Sequence, residues 1–185
     1  MKWTAPVKVG GAFVAMMMAV SVSAEELAEG QVDLGVFSPP AGGGEFVEVN
    51  LTSSLISLAA RFVEKEDAQV AELIKGVHLV RVNVVGVDDQ NRREIEQRVQ
   101  KIRKQLEGKG WEKIVTARQK GQDVGVYLKT RDQETVQGLV VVVVDADKQA
   151  VFVNVVGNIR PEQLSMLGEK FHLEPLKQIG AAIEK

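Results

Sequence analysis

The chain has 185 residues, 23 Lys and Arg against 25 Asp and Glu, two His and no Cys. A net charge of −2 lacks the basic footprint of a nucleic-acid binder. The missing Cys excludes disulfides, thiolate metal ligands and a cysteine-linked lipid anchor, so a single apolar core must hold the fold.

Lys2 and Lys8 precede an uncharged stretch, Val9 to Ala24, that contains Phe13, Val14 and Met16-Met17-Met18. It ends Val22-Ser23-Ala24 before Glu25-Glu26. This is the three-part pattern of a cleavable export signal over 1–24. It is shorter than the ~20 apolar residues of a spanning helix. Methionine serves there as an adaptable apolar side chain, not as a cofactor box. Residues 25–50 read as an extended preface and 51–185 as one domain. In the preface Val32, Leu34 and Val36 alternate, as do Val47, Val49 and Leu51, which is strand-like. Between them 38–44, Ser-Pro-Pro-Ala-Gly-Gly-Gly, forms a loop. It lacks the Lys-Ser/Thr of a phosphate cradle. Asn50-Leu51-Thr52 matches a glycosylation sequon by coincidence.

Leu55, Leu58, Ala59, Phe62 and Val63 fall on one helical stripe. After the charged stretch 64–67, Asp67 caps a second short helix that Gly76 ends. A strand over 78–87 follows. Asn91-Arg92-Arg93-Glu94 fits a capping box for a helix with Ile95, Val99, Ile102 and Leu106 at helical spacing, closed by Gly108. Strands are predicted at 111–118, 124–129, 138–144 and 150–156, with turns around 120–123 and at 145–148. Pro161 and Pro175 suit the starts of two last helices, 162–171 and one carrying Leu176, Ile179 and Ile183.

The fold expected is α+β: one mainly antiparallel sheet of about five strands with helices packed on it. Val80 to Gly86 echoes Val151 to Gly157 at six of seven places, which suggests paired strand–helix units and a ferredoxin-like-related layout. The two echoed strands are expected to pair antiparallel. The unbroken run Leu139 to Val144 needs cover on both faces. The second cover is expected to be the helix pair at 54–75 or a second copy.

No catalytic or metal motif emerges, and no cofactor is implied. His78 and His172 lack companions at ligand spacing. Asp88-Asp89 and Asp145-Ala146-Asp147 read as helix-start and turn acids rather than calcium ligands. Asn158 and Arg160, before the helix expected at Pro161, make a candidate anion site. If Val80, Val82 and Val84 face the long helix, alternation sends Arg81, Asn83, Phe152 and Asn154 to the opposite face, with Tyr127 and Lys129. Two amides, two cations and two aromatics there make a candidate interaction face.

Glu48 to Leu51, Val80 to Val84, Gly110-Trp111, Tyr127 to Lys129, Gly138 to Val141 and Gly157 to Leu164 resemble the domain-of-unknown-function 4252 family. The resemblance spans roughly Glu45 to Leu176. It implies an exported bacterial envelope protein and carries over no catalytic residue, cofactor or partner. This chain lacks the Cys of the family's lipid-anchored members. The resulting expectation is a non-enzymatic periplasmic or secreted protein that binds protein or peptide. The alternatives are a small-ligand binder or enzyme using the open sheet face, and a self-associating envelope protein.

Overall fold

The computed structural model describes residues 27–131, 135–160 and 163. The segment expected to be an export signal, 1–24, and the two helices expected after Pro161 and Pro175 lie outside them, save for Gln163.

Six strands form one antiparallel sheet, β1 (Phe46–Thr52), β2 (Val77–Gly86), β3 (Trp111–Gln119), β4 (Gln122–Thr130), β5 (Val136–Asp145) and β6 (Gln149–Ile159). Their spatial order is β1-β2-β6-β5-β4-β3. The sixth strand, one beyond the expected count, is β1. Its Val47, Val49, Leu51 alternation sits in the preface and pairs with β2 in unbroken register, Val49 opposite Val82. β6 continues past Gly157 to Ile159. A Cβ on Gly157 would lie 2.3 Å from the carbonyl oxygen of Gly76, so only glycine lets the two backbones approach there.

The echoed segments are neighbours. β2 and β6 pair antiparallel with Val82 opposite Val153, so the repeat straddles a local two-fold at the sheet's centre. Tight hairpins join β3 to β4 and β5 to β6. Lys120 and Gly121 both take positive φ, 42° and 83°, as a two-residue hairpin loop demands.

Helices α1 (Ser53–Val63) and α2 (Ala68–Lys75) form a hairpin, and α3 (Arg92–Leu106) follows β2. Asp67 caps α2 as expected, accepting from the Val70 N–H at 3.1 Å. The capping box of α3 is not formed. Asn91 is the cap residue, but its side chain makes no capping bond. Its amide instead spans the preceding turn, accepting from the Asp88 N–H at 2.9 Å and donating to the Gly86 carbonyl at 2.7 Å. Asp88 Oδ1 accepts from the N–H groups of Gln90 and Asn91. A nearer acid wins because an Asx turn bonds its own backbone two residues on.

The two sheet faces have separate cores. On the first face, α3 lays Ile95, Val99, Ile102 and Leu106 over Val85, Val140, Val142 and Phe152. On the second, Ile56 and Ile74 of the helix hairpin cluster with Val80, Val126, Leu128, Leu139 and Val155. The helix pair thus shares a core with this face, but it lies over β1 and β2, and Val141 and Val143 of the β5 run stay half-buried. The pairing registers also lay Val84, Val151, Val143 and Val124 side by side on this second face. All four are only half-buried.

Candidate functional site

Arg81, Asn83, Tyr127, Lys129, Phe152 and Asn154 do share one face of the sheet, as alternation requires. Register places Asn83 opposite Phe152, Arg81 opposite Asn154, and Tyr127 opposite Val140. The face is the opposite one from that expected: these residues point toward α3, and Val80, Val82 and Val84 point away from it. Alternation fixes which residues share a face but not which face a helix takes. Volume decides it here. Phe152 is fully buried and Tyr127 nearly so beneath α3.

The groove that these residues form is already filled, by the protein's own preface. Residues 29–40 cross the face beside α3 as a strap and bury Val32, Leu34 and Phe37 in the same core. The expected alternation holds for Val32 and Leu34 but breaks at Gly35, whose φ is 82°: Val36 is exposed and Phe37 takes the buried place, and the segment crosses the strands instead of joining the sheet. Asn154, fully buried, fastens it. Its Nδ2 donates to the Gly30 carbonyl at 3.0 Å and to the Leu139 carbonyl at 3.2 Å, and its Oδ1 accepts from the Val32 N–H at 3.0 Å. Phe37 packs on Phe152 with ring centroids 4.9 Å apart, and the Arg98 guanidinium lies 5.1 Å above the Phe37 ring. Arg98 also donates to the Val36 carbonyl at 3.1 Å. A Cβ on Gly138 would sit 2.6 Å from the Gly30 Cα, so strap and β5 touch backbone to backbone.

Lys101 pairs with Asp33 at 3.2 Å. Partial burial pushes the Asp33 carboxyl up, but the Gly35 N–H, Lys101 and Arg98 together outweigh it and hold the group below its ordinary value of 3.8. Lys129 is half-exposed at the groove's margin. Arg81 is half-buried, with its Nε unpaired among the described residues.

A cavity of about 470 Å³ opens where the strap begins, lined among others by Glu29, Ser53, His78, Arg131, Gln137 and Asn158. Much of its polarity is internally spent. Gln137 donates to Glu29 at 2.8 Å, and the Ser53 hydroxyl to the His78 carbonyl at 2.9 Å. Asn158 reaches this cavity, while the Arg160 N–H is taken by the Gln163 side chain at 2.9 Å. The helix start expected at 161–162, which would complete their anion site, is outside the described residues. Asp145 serves its turn, accepting from the Asp147 N–H at 3.2 Å and from Gln122 at 3.0 Å.

The apolar surface left outside lies elsewhere. Leu55, Leu58 and Phe62 of α1 are 51%, 50% and 70% exposed, and Val47 and Leu51 of β1 adjoin them in sequence, 40% and 38% exposed. The helical stripe read from the sequence therefore faces out at Leu55, Leu58, Ala59 and Phe62, with Val63 half-buried. α1 is apolar on two sides, and Ile56 and Ala60 took the buried one. The signal was present in the sequence: a helix apolar beyond one stripe has a second surface to cover.

Neither a curated protein nor a solved structure matches the chain. A family model described as a domain of unknown function does match, over residues 42–167. That span takes in every strand and helix of the sheet domain just described, and the chain belongs to this family, DUF4252.

Proposed function

We propose that this is an exported periplasmic or secreted protein whose sheet domain is a non-enzymatic interaction module for protein or peptide. The observation that carries the binding part is the exposed stripe Leu55, Leu58 and Phe62, continuous in sequence with the exposed Val47 and Leu51 of β1. Single exposed apolar residues are ordinary on a protein surface, but a clustered patch marks a contact site. The groove with aromatic and amide groups does not serve, because the strap occupies it.

Export rests on the Lys2-to-Ala24 pattern. The exported chain then begins at Glu25, and intact mass of the periplasmic fraction checks this. Soluble protein that keeps residues 1–24 overturns it. Binding is tested by a photo-cross-linking residue placed at position 58 or 62 in cells, with exposed Glu96 on α3 as the control position. Protein adducts at 58 and 62 and none at 96 are expected. Equal yields at all three positions would sink the interaction reading.

A second reading, a small-ligand binder, is favoured by the 470 Å³ cavity, whose size lies in the range of ligand sites. Arg131→Ala would then abolish the thermal upshift given by a panel of small anions. No upshift with any member for the unsubstituted protein removes this reading.

A further inference from the structure

The two edges of the sheet are built differently. β3 carries Lys113 and Arg118, both exposed, and its register with β4 shifts between Lys113 and Val115. Charges and a bulge are the usual protection of an edge strand against pairing with another chain. β1 has neither. Phe46 to Thr52 contains no Lys, Arg or Pro, and its register with β2 runs without a shift.

Among the described residues, half of the backbone groups of β1 have no partner strand. The Gly86 N–H donates to the Glu45 carbonyl at 2.7 Å, so Glu45 and Gly86 form a hydrogen-bonded pair. Such pairs alternate along an antiparallel ladder. Val47, Val49 and Leu51 therefore bond to β2, while Phe46, Glu48 and Asn50 turn their N–H and C=O groups outward.

α1 lies over β1 and β2, and α2 over β2. The Glu64–Lys75 pair at 3.3 Å places α2 on one flank of α1. At 100° per residue Leu55, Ala59 and Phe62 lie on the other flank, away from α2 and on the side of the free edge.

We propose that the β1 edge pairs antiparallel with β1 of a second copy of this chain, about a two-fold axis at Val49, so that the two α1 stripes meet above it. The proposal rests on the interaction reading and names its partner. Charge selects the register. An axis at Glu48 sets Glu48 against itself, and like charges directly opposite are destabilising. An axis at Asn50 sets Phe46 against Ser54, which already belongs to α1. The axis at Val49 sets Glu48 against Asn50, Val47 against Leu51 and Val49 against itself. All the outward groups of Glu48 and Asn50 are then paired. A two-fold perpendicular to the sheet keeps both α1 helices on the same side, where Leu55 and Phe62 of each cover those of the other.

The test is sedimentation of the purified chain from Glu25 at micromolar to about 100 μM concentration, with thermal unfolding as the control for folding. Dimers are expected. Asn50→Glu sets like charges opposite each other twice and should weaken the dimer about tenfold, while Asn50→Lys should not weaken it. Asn50→Pro removes only an outward N–H, which edge strands tolerate, and should give a folded monomer. A monomer at every concentration overturns the proposal. So does a dimer indifferent to all three substitutions. If positions 58 and 62 cross-link to another protein while the purified chain stays monomeric, the interaction reading stands and this partner is wrong.

Discussion

Asn154 is fully buried in mid-strand, where an amide is a poor β-former and needs a compensating partner. It has three, and two of them belong to the strap. Asn154→Ala strands the Val32 N–H and the Gly30 carbonyl in a dry place. The expected loss is about 2–4 kcal/mol, since each unmade buried bond costs about 1–3. Denaturant titration measures it, and amide exchange at Val32 should accelerate with it. A loss under about 1 kcal/mol would mean that the strap is held by its apolar side chains alone. That Asn154 needs a compensating bond is legible in the sequence. That the bonds go to residues 122 and 124 positions away is not, because alternation in the preface marks an extended segment without saying which strands it crosses.

Among the elements, α3 was the most legible, and for a physical reason: four apolar residues at helical spacing on an otherwise charged helix allow one orientation. Ile102 is fully buried in it. Ile102→Ala should cost about 2–5 kcal/mol as transfer and cavity terms combine. A denaturant titration giving less than about 1 kcal/mol would contradict the packing. α1 was less legible because apolar residues on two sides leave its orientation to the competition for the sheet.

The strap meets α3 through Asp33, and this contact responds to pH. The folded-state carboxyl is held below 3.8, so its contribution is complete above that value and disappears as pH falls through the lower folded-state one. The contribution is small, because both Asp33 and Lys101 are about half exposed to water. Asp33→Asn should therefore be slightly less stable than the parent at neutral pH. The gap, read from unfolding midpoints, should close below about pH 4. A gap that widens in acid would show that Asp33 is not stabilised as the carboxylate.

For the whole molecule, the antiparallel pairing of the echoed strands and the α+β class follow from patterns within the sequence. The orientation of the sheet relative to α3 does not, since exchanging the two faces preserves every alternation. The boundary of the domain is the sharper case. The family match begins at Gly42, after the strap, yet Val32, Leu34 and Phe37 sit in the core with Phe152 and Ile102. Burying three such side chains contributes about 5–9 kcal/mol at about 1.5–3 each, an upper figure because a denatured chain already hides some apolar surface. The net stability of a domain is about 5–15 kcal/mol. A chain trimmed to residues 42–167 should therefore fail to fold cooperatively: it should melt without a sharp transition and bind a hydrophobic dye. The chain from Glu25 should do neither. A peptide of residues 27–41 added in trans should restore part of the transition, because it returns the three side chains and the Asn154 bonds together. A trimmed chain melting within about 5 °C of the longer one, a shift of roughly 1 kcal/mol for a domain this size, would mean that the strap lies on the core without holding it.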